Sequence, residues 1–189
     1  EMAASIGAGR HPNLIGVLGR LVGHPAGANG LVMELMDPHL SGLAGPPSLA
    51  SCTRDVYPPG CRFSLPTVLQ VARGITSAAR QLHQRGIMHG DLYGHNILHD
   101  GTGRAVIGDF GAASFYDTGN RDAAAALQRI EVRAFGCLLE ELIEHCDPQA
   151  DRARLAALAR IRSDCLSDDA GSRPLFDEID QLLSQAAAA

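Results

Sequence analysis

The chain has 189 residues, enough for one domain with a substantial core, and its 46% apolar content is that of an ordinary soluble globular fold. A net charge of −5 gives no basic face for nucleic acid, and no apolar run approaches membrane-spanning length. All 16 cationic residues are Arg, so no chemistry in this chain can use a lysine ammonium.

The first 36 residues read as the end of a helix followed by two short strands. Residues 14–22 and 31–35 carry the apolar strand pattern, and the turn-rich stretch Gly23–Gly30 joins them as a hairpin. Residues 37–63 hold Pro38, Pro46, Pro47, Pro58 and Pro59 among several Gly and Ser, and read as one long irregular connection. A helix follows, with Val68, Ala72, Ile75, Ala79 and Leu82 on one face, Ser64 as N-cap and Gly86 as its stop. Three short strands come next: Ile87–Met88, residues 97–99 and residues 105–107. The turn Asp100-Gly101-Thr102-Gly103 makes the last two a hairpin.

From about Ala123 to Glu144 a second helix is expected, with Leu127, Ile130, Ala134, Leu138 and Leu142 on a wide buried face. Cys137 reads as a small core residue of that helix, and Glu140, Glu141 and Glu144 as its solvated side. Helices near 150–162 and 174–185 complete an α+β chain with a helical second half. Aromatics make up 4% and Trp is absent, so the core is built from Leu, Ile, Val and Ala.

The five Cys are odd in number and form no CxxC, which points to a reducing, cytoplasmic setting; Cys52 and Cys61 bracket the Pro-rich loop and could pair. No signal peptide is visible, but the chain opens on Glu1, so a targeting segment upstream stays open.

The chemistry concentrates in His89-Gly90-Asp91-Leu92-Tyr93-Gly94-His95-Asn96 and Asp109-Phe110-Gly111. The hairpin between them folds Asp109 back beside Asn96. A carboxylate and an amide oxygen then converge as hard ligands of the kind Mg²⁺ takes. Asp91 stands close by, a second carboxylate able to accept a proton or orient a hydroxyl. Phosphoryl transfer asks for little more from this side. His89, Asp91 and His95 do not make a transition-metal site, since no fourth ligand is evident. His11, His24, His39, His83, His99 and His145 read as ordinary surface or packing residues.

These segments resemble the protein-kinase catalytic loop, H-R-D-L-x-x-x-N, and its metal loop, D-F-G. The resemblance extends along the chain. His11-Pro12-Asn13-Leu14-Ile15 is similar to the loop after the regulatory helix. Val32-Met33-Glu34-Leu35-Met36 is similar to the strand and hinge that grip adenine. Glu131-Val132-Arg133-Ala134-Phe135-Gly136 resembles the start of the buried central helix. Cys165-Leu166, Asp169, Arg173-Pro174 and Phe176-Asp177-Glu178-Ile179 resemble the close of the domain. The motif set as a whole is similar to bacterial kinases associated with leucine-rich repeats.

This resemblance implies a protein-kinase-like fold, with residues 1–36 a partial N-lobe and residues 37–189 the C-lobe. It implies ATP and Mg²⁺ as cofactors and a protein hydroxyl as acceptor. Asp91 would be the catalytic base, and Asn96 and Asp109 would hold Mg²⁺. Met33 would be the gatekeeper, main-chain groups of Glu34 and Met36 would hold adenine, and His89 would brace the loop. Glu1 falls about where the regulatory-helix Glu would pair with the ATP-binding lysine.

The pattern also breaks. The Gly-rich loop and the lysine strand are absent, so the chain as it stands is expected to be inactive alone. Gly90 replaces the Arg that reads a phosphorylated activation loop, and Tyr93 stands where Ser/Thr kinases commonly carry Lys. Asp109 and Glu131 are 22 positions apart with no A-P-E between them, so Arg173 needs another partner. Two alternatives follow: a small-molecule phosphotransferase of the aminoglycoside or choline kinase type, suggested by Gly90, and a pseudokinase binding module.

Overall fold

The structure is a computed structural model, and it describes residues 1–50 and 54–188. Cys52 lies outside the described residues, while Cys61 carries a free thiol. No helix among the described residues is long and apolar enough to cross a membrane.

The first helix, α1 (Met2–Ala8), buries Ala4, Ser5 and Ala8 on one side. Strands β1 (Val17–Leu21) and β2 (Gly30–Met33) then form an antiparallel hairpin. The hairpin is shorter than the pattern suggested at both ends. Leu14 and Ile15 leave it to join the body of the molecule: Leu14 forms a parallel bridge to Ile107, and the Ile15 N–H donates to the Ile107 carbonyl at 3.0 Å. Past Met33 the chain turns away from the ladder, although the Glu34 N–H still donates to the Gly16 carbonyl (2.9 Å).

His11-Pro12-Asn13 is the joint between these two parts. Asn13 Nδ2 donates to the Ala105 carbonyl (2.8 Å), the Ile107 N–H donates to the Asn13 carbonyl (2.9 Å), and His11 Nε2 meets Ser77 Oγ (3.1 Å). The irregular connection that follows is not featureless. It holds strand β3 (Ser41–Gly42) and an antiparallel bridge between Gly45 and Val56.

The long helix α2 (Leu65–Gln84) runs through the centre. Ser64 caps it, its hydroxyl accepting from the Thr67 N–H (3.3 Å). Its apolar stripe is fully covered: Val68, Val71, Ala72 and Ile75 are all buried. Strand β4 (Ile87–Met88), β5 (Ile97–His99) and β6 (Ala105–Ile107) fall where the sequence placed them. Strands β3, β5 and β6 form one antiparallel sheet in that order, and β4 pairs with β7 (Ser114–Phe115).

Helix α3 (Arg121–Glu144) begins two residues earlier than its apolar pattern predicts, with the Asn120 side chain accepting from the Ala123 N–H (3.2 Å). Val132, Phe135, Leu138, Leu139 and Leu142 are buried along it. Ile130 is not, being 58% exposed; it sits on the edge of a pocket rather than in the core. Helices α4 (Arg152–Cys165) and α5 (Phe176–Ala188) pack on α3 and α2 respectively, and add Leu158, Ile161, Phe176, Ile179 and Leu183 to the same core. Each such aliphatic or aromatic side chain contributes about 1.5–3 kcal/mol on burial. The α+β architecture with a helical second half is as expected.

Candidate active site

The site is built on the loop that leaves β4. His89 is fully buried at its start, with its ring tilted against Phe110. His89 Nε2 meets the Gly108 carbonyl (2.8 Å) and Nδ1 meets the Asp91 N–H (3.3 Å). A carbonyl can only accept and an N–H can only donate, so the proton sits on Nε2. His89 thereby ties the loop to the segment that carries Asp109.

The next residue is held from the other side. The Gly90 N–H donates to Glu131 Oε1 (2.7 Å), and Glu131 Oε2 meets His83 Nε2 (2.6 Å). Both Glu131 and His83 are buried. A carboxylate removed from water needs such partners, and here each oxygen has one. His83 is therefore more than a packing residue: it links the end of α2 to the loop through α3. Its spacing in the sequence carried no sign of this, because its partner lies 48 residues away.

Asp91 and Asn96 meet directly. Asn96 Nδ2 donates to the Asp91 carbonyl (2.9 Å) and to Asp91 Oδ2 (2.8 Å). The 3-10 turn Gly94–Asn96 closes the loop between them. Asn96 also sits at the foot of the β5–β6 hairpin. Ile97 pairs with Ile107, and the Gly108 N–H donates to the Asn96 carbonyl (3.2 Å). That bond ties Asn96 to the residue immediately before Asp109. Asp109 is the lone non-glycine residue at positive φ (57°) among those described, and its Oδ1 accepts from the Gly111 N–H (3.1 Å). A backbone held in the left-handed region costs energy and persists only where its surroundings fix it.

One residue that the sequence did not single out completes the surroundings. Asp55, from the connection before α2, has a buried side chain and binds His95 twice. Its Oδ1 meets His95 Nδ1 (2.7 Å) and its Oδ2 accepts from the His95 N–H (2.9 Å). His95 Nε2 faces Asp91 Oδ2 at 3.3 Å. Burial works against a charge on His95, but the carboxylates of Asp55 and Asp91 outweigh it and raise its pKa above the ordinary imidazole value. Nothing in the spacing pointed to Asp55, since irregular loops carry no periodic signal.

Beside Asp91 opens a pocket of about 510 Å³, lined by Gly90, Tyr93 and His95 of the same loop, by Arg54 and Asp55, and by Ile130, Arg133 and Cys137 of α3. Cys137 thus faces the pocket rather than the core; burial pushes its thiol pKa up, with Arg54 and Arg133 pulling the other way. Glu140 and Glu141 correct the expectation of a solvated face. Glu140 pairs with Arg54 (2.5 Å) and Arg162 (3.5 Å). Glu141 is buried, accepts from the Tyr57 hydroxyl (3.3 Å), and is pushed up to about 7, first by burial and then by the nearby Asp55. Only Glu144 of the three is exposed.

The remaining predicted positions lie further off. Met33 ends β2 and is 45% exposed. The Glu34 carbonyl and both main-chain groups of Met36 have no hydrogen-bond partner among the described residues, while the Glu34 side chain faces Arg10 at 3.9 Å. Glu1 precedes α1 as its N-cap residue, makes no side-chain cap bond, and is not brought to the loop. Arg173 finds main-chain partners in place of a carboxylate: it donates to the carbonyls of Ser167 (2.9 Å) and Arg129 (3.1 Å).

This arrangement places an aspartate and an asparagine on one loop, with a second aspartate following a hairpin. The profile of the protein kinase domain matches residues 6–132, which takes in the β1–β2 hairpin, the His89–Asn96 loop and the start of α3. Two probable serine/threonine-protein kinases of Arabidopsis thaliana are each 31% identical, one over 106 residues and the other over 111, or 56% and 59% of this chain. A serine/threonine-protein kinase homolog of bovine herpesvirus 1.2 (strain ST) is 43% identical over 51 residues, 27% of the chain and 11% of that protein. The match spans only 13% and 17% of the two plant relatives' own lengths. The family match runs through every segment that builds the loop and its supports, and the chain belongs to the protein kinase domain family.

Proposed function

We propose that this chain is the acceptor-side and metal-side part of a Mg²⁺- and ATP-dependent protein kinase. The observation that supports the reading is the geometry around Asn96: its amide donates to Asp91 Oδ2, and its carbonyl accepts from the N–H of Gly108, the residue before Asp109. In this reading residues 1–36 belong to an upper lobe and residues 37–189 to a lower one.

The donor set fits the cofactors. Asn96 Oδ1 and the second oxygen of Asp109 carry no hydrogen bond among the described residues, so two hard oxygens are available to Mg²⁺. Bound there with ATP, the ion supplies neutralisation of phosphate charge. The unpartnered Glu34 carbonyl and Met36 main chain suit an adenine edge, with Met33 beside it as gatekeeper. Glu1 is assigned to the regulatory helix, where it would meet a cation from elsewhere in the protein. Asp91 holds the acceptor hydroxyl and takes its proton. His89, protonated on Nε2, keeps Asp91 and the Asp109 segment in fixed relation. The names of the relatives favour a serine or threonine hydroxyl.

The test is phosphotransfer by the full-length protein. Asp109→Asn and Asp91→Ala are each expected to lower kcat by about 10²-fold or more, since general-base and electrostatic groups contribute on that scale. Undiminished transfer to protein in either variant would overturn the assignment. A second reading, a small-molecule phosphotransferase, draws on the concave pocket beside Asp91. Labelled metabolites with no labelled protein would favour it.

A further inference from the structure

We propose that Asp55 and His95 form a positioning pair that holds one oxygen of Asp91, so that the acceptor hydroxyl is received on the other. The proposal rests on the reading of Asp91 as the group that meets that hydroxyl.

Asn96 Nδ2 donates to Asp91 Oδ2 at 2.8 Å and His95 Nε2 faces the same oxygen at 3.3 Å, while no described residue hydrogen-bonds Oδ1. A carboxylate flanked in this way cannot rotate without losing the Asn96 bond and leaving the His95 ring nitrogen. Asp91 keeps 38% side-chain exposure and lines the pocket, so Oδ1 stays open to an acceptor.

His95 is itself fixed. Asp55 grips both its ring and its main-chain N–H, and the Asp55 side chain is only 2% exposed. The grip is rigid on the Asp55 side as well, because the next residue, Val56, exchanges two main-chain hydrogen bonds with Gly45 (2.8 and 2.9 Å). The Tyr93 ring lies nearly parallel to the imidazole, 8° from its plane. The sequence makes room for this contact: a Cβ on Gly94 would lie 3.0 Å from both Asp55 Oδ2 and the Tyr57 hydroxyl. A buried carboxylate, a histidine gripped at two points and a glycine between them have one common result, the placement of His95 Nε2 against Asp91.

The experiment is steady-state phosphotransfer by the full-length protein, with thermal melting of each variant. His95→Ala is expected to lower kcat about 10- to 100-fold, the usual effect of removing a supporting partner, with the KM for ATP unchanged. His95→Gln, which keeps an N–H donor near Asp91, is expected to recover most of that loss. Asp55→Asn should lower kcat as well, and Asp55→Asn with His95→Ala should be no worse than His95→Ala alone. Equal activity of His95→Ala and wild type, or equal losses in the Ala and Gln variants that follow a lowered melting temperature, would overturn the positioning role. If wild type transfers phosphate and Asp91→Ala does not, that failure belongs to the His95 proposal alone. A wild type that transfers none overturns the reading of Asp91 together with this proposal.

Discussion

At the scale of single residues, Gly90 shows how a departure from a family pattern can be a requirement of the backbone. The residue stands where protein kinases commonly carry Arg, and its φ is +81°. A Cβ there would fall 2.3 Å from the Ala112 carbonyl oxygen, which belongs to the turn after Asp109. Side chains are disfavoured at that φ and have no space at that contact. Gly90→Ala is expected to destabilise the fold by about 2 kcal/mol or more, combining left-handed strain with the displacement of Ala112. A urea-denaturation midpoint equal to wild type would contradict this. The same contact explains why restoring the family Arg would not restore its role: the loop would have to move first.

At the scale of elements, α3 does more than fill the core. Its N-terminal turns supply the Arg129 carbonyl that Arg173 binds, so a main-chain group takes the place of the missing carboxylate partner. Its middle supplies Glu131 to the catalytic-type loop, and its C-terminal half supplies Glu140 and Glu141 to the base of the pocket. Glu141 has a stability consequence. Its folded pKa of about 7 lies above the ordinary glutamate value, so the folded state keeps a proton that the unfolded state releases. Stability therefore falls as pH rises through that window, by about 3 kcal/mol at most. Glu141→Gln is expected to match wild type near pH 5 and to exceed it at pH 8. Denaturation midpoints at the two pH values check this, and an unchanged difference between the two proteins would refute it.

At the scale of the whole molecule, the β1–β2 hairpin depends on a narrow joint. Leu18, Val32 and Met33 are about half exposed, so the hairpin buries little of its own apolar surface. Its attachment runs through the main-chain bonds of Asn13 and Ile15 to β6 and through the Asn13 side chain. Asn13→Ala removes one buried-end hydrogen bond, worth about 1 kcal/mol. Faster amide exchange across β1 and β2, by about fivefold, is expected, with α2 and α3 unaffected. Uniform acceleration over the whole chain would show instead that the joint and the core open together.

The sequence alone determined the periodic and the punctuated parts of this protein. Helix α2 followed from apolar spacing with a cap and a stop, and α3 from apolar spacing; β4, β5 and β6 and their hairpin turn followed from short apolar runs and Asp-Gly chemistry. The loop residues from His89 to Asn96 and the Asp109 turn were legible because their chemistry depends on local spacing. What the sequence could not give were pairings between distant residues. Asp55 against His95 joins positions 40 apart, and His83 against Glu131 joins positions 48 apart, in elements with no common period. The exposure of Ile130, the pocket-facing Cys137 and the burial of Glu141 belong to the same class. A helix's apolar pattern says which residues prefer to leave water, but the neighbour that covers them is chosen by the packing of the whole chain. Only the tertiary structure decided those contacts, because their energies exist only once segments far apart in sequence have been brought together.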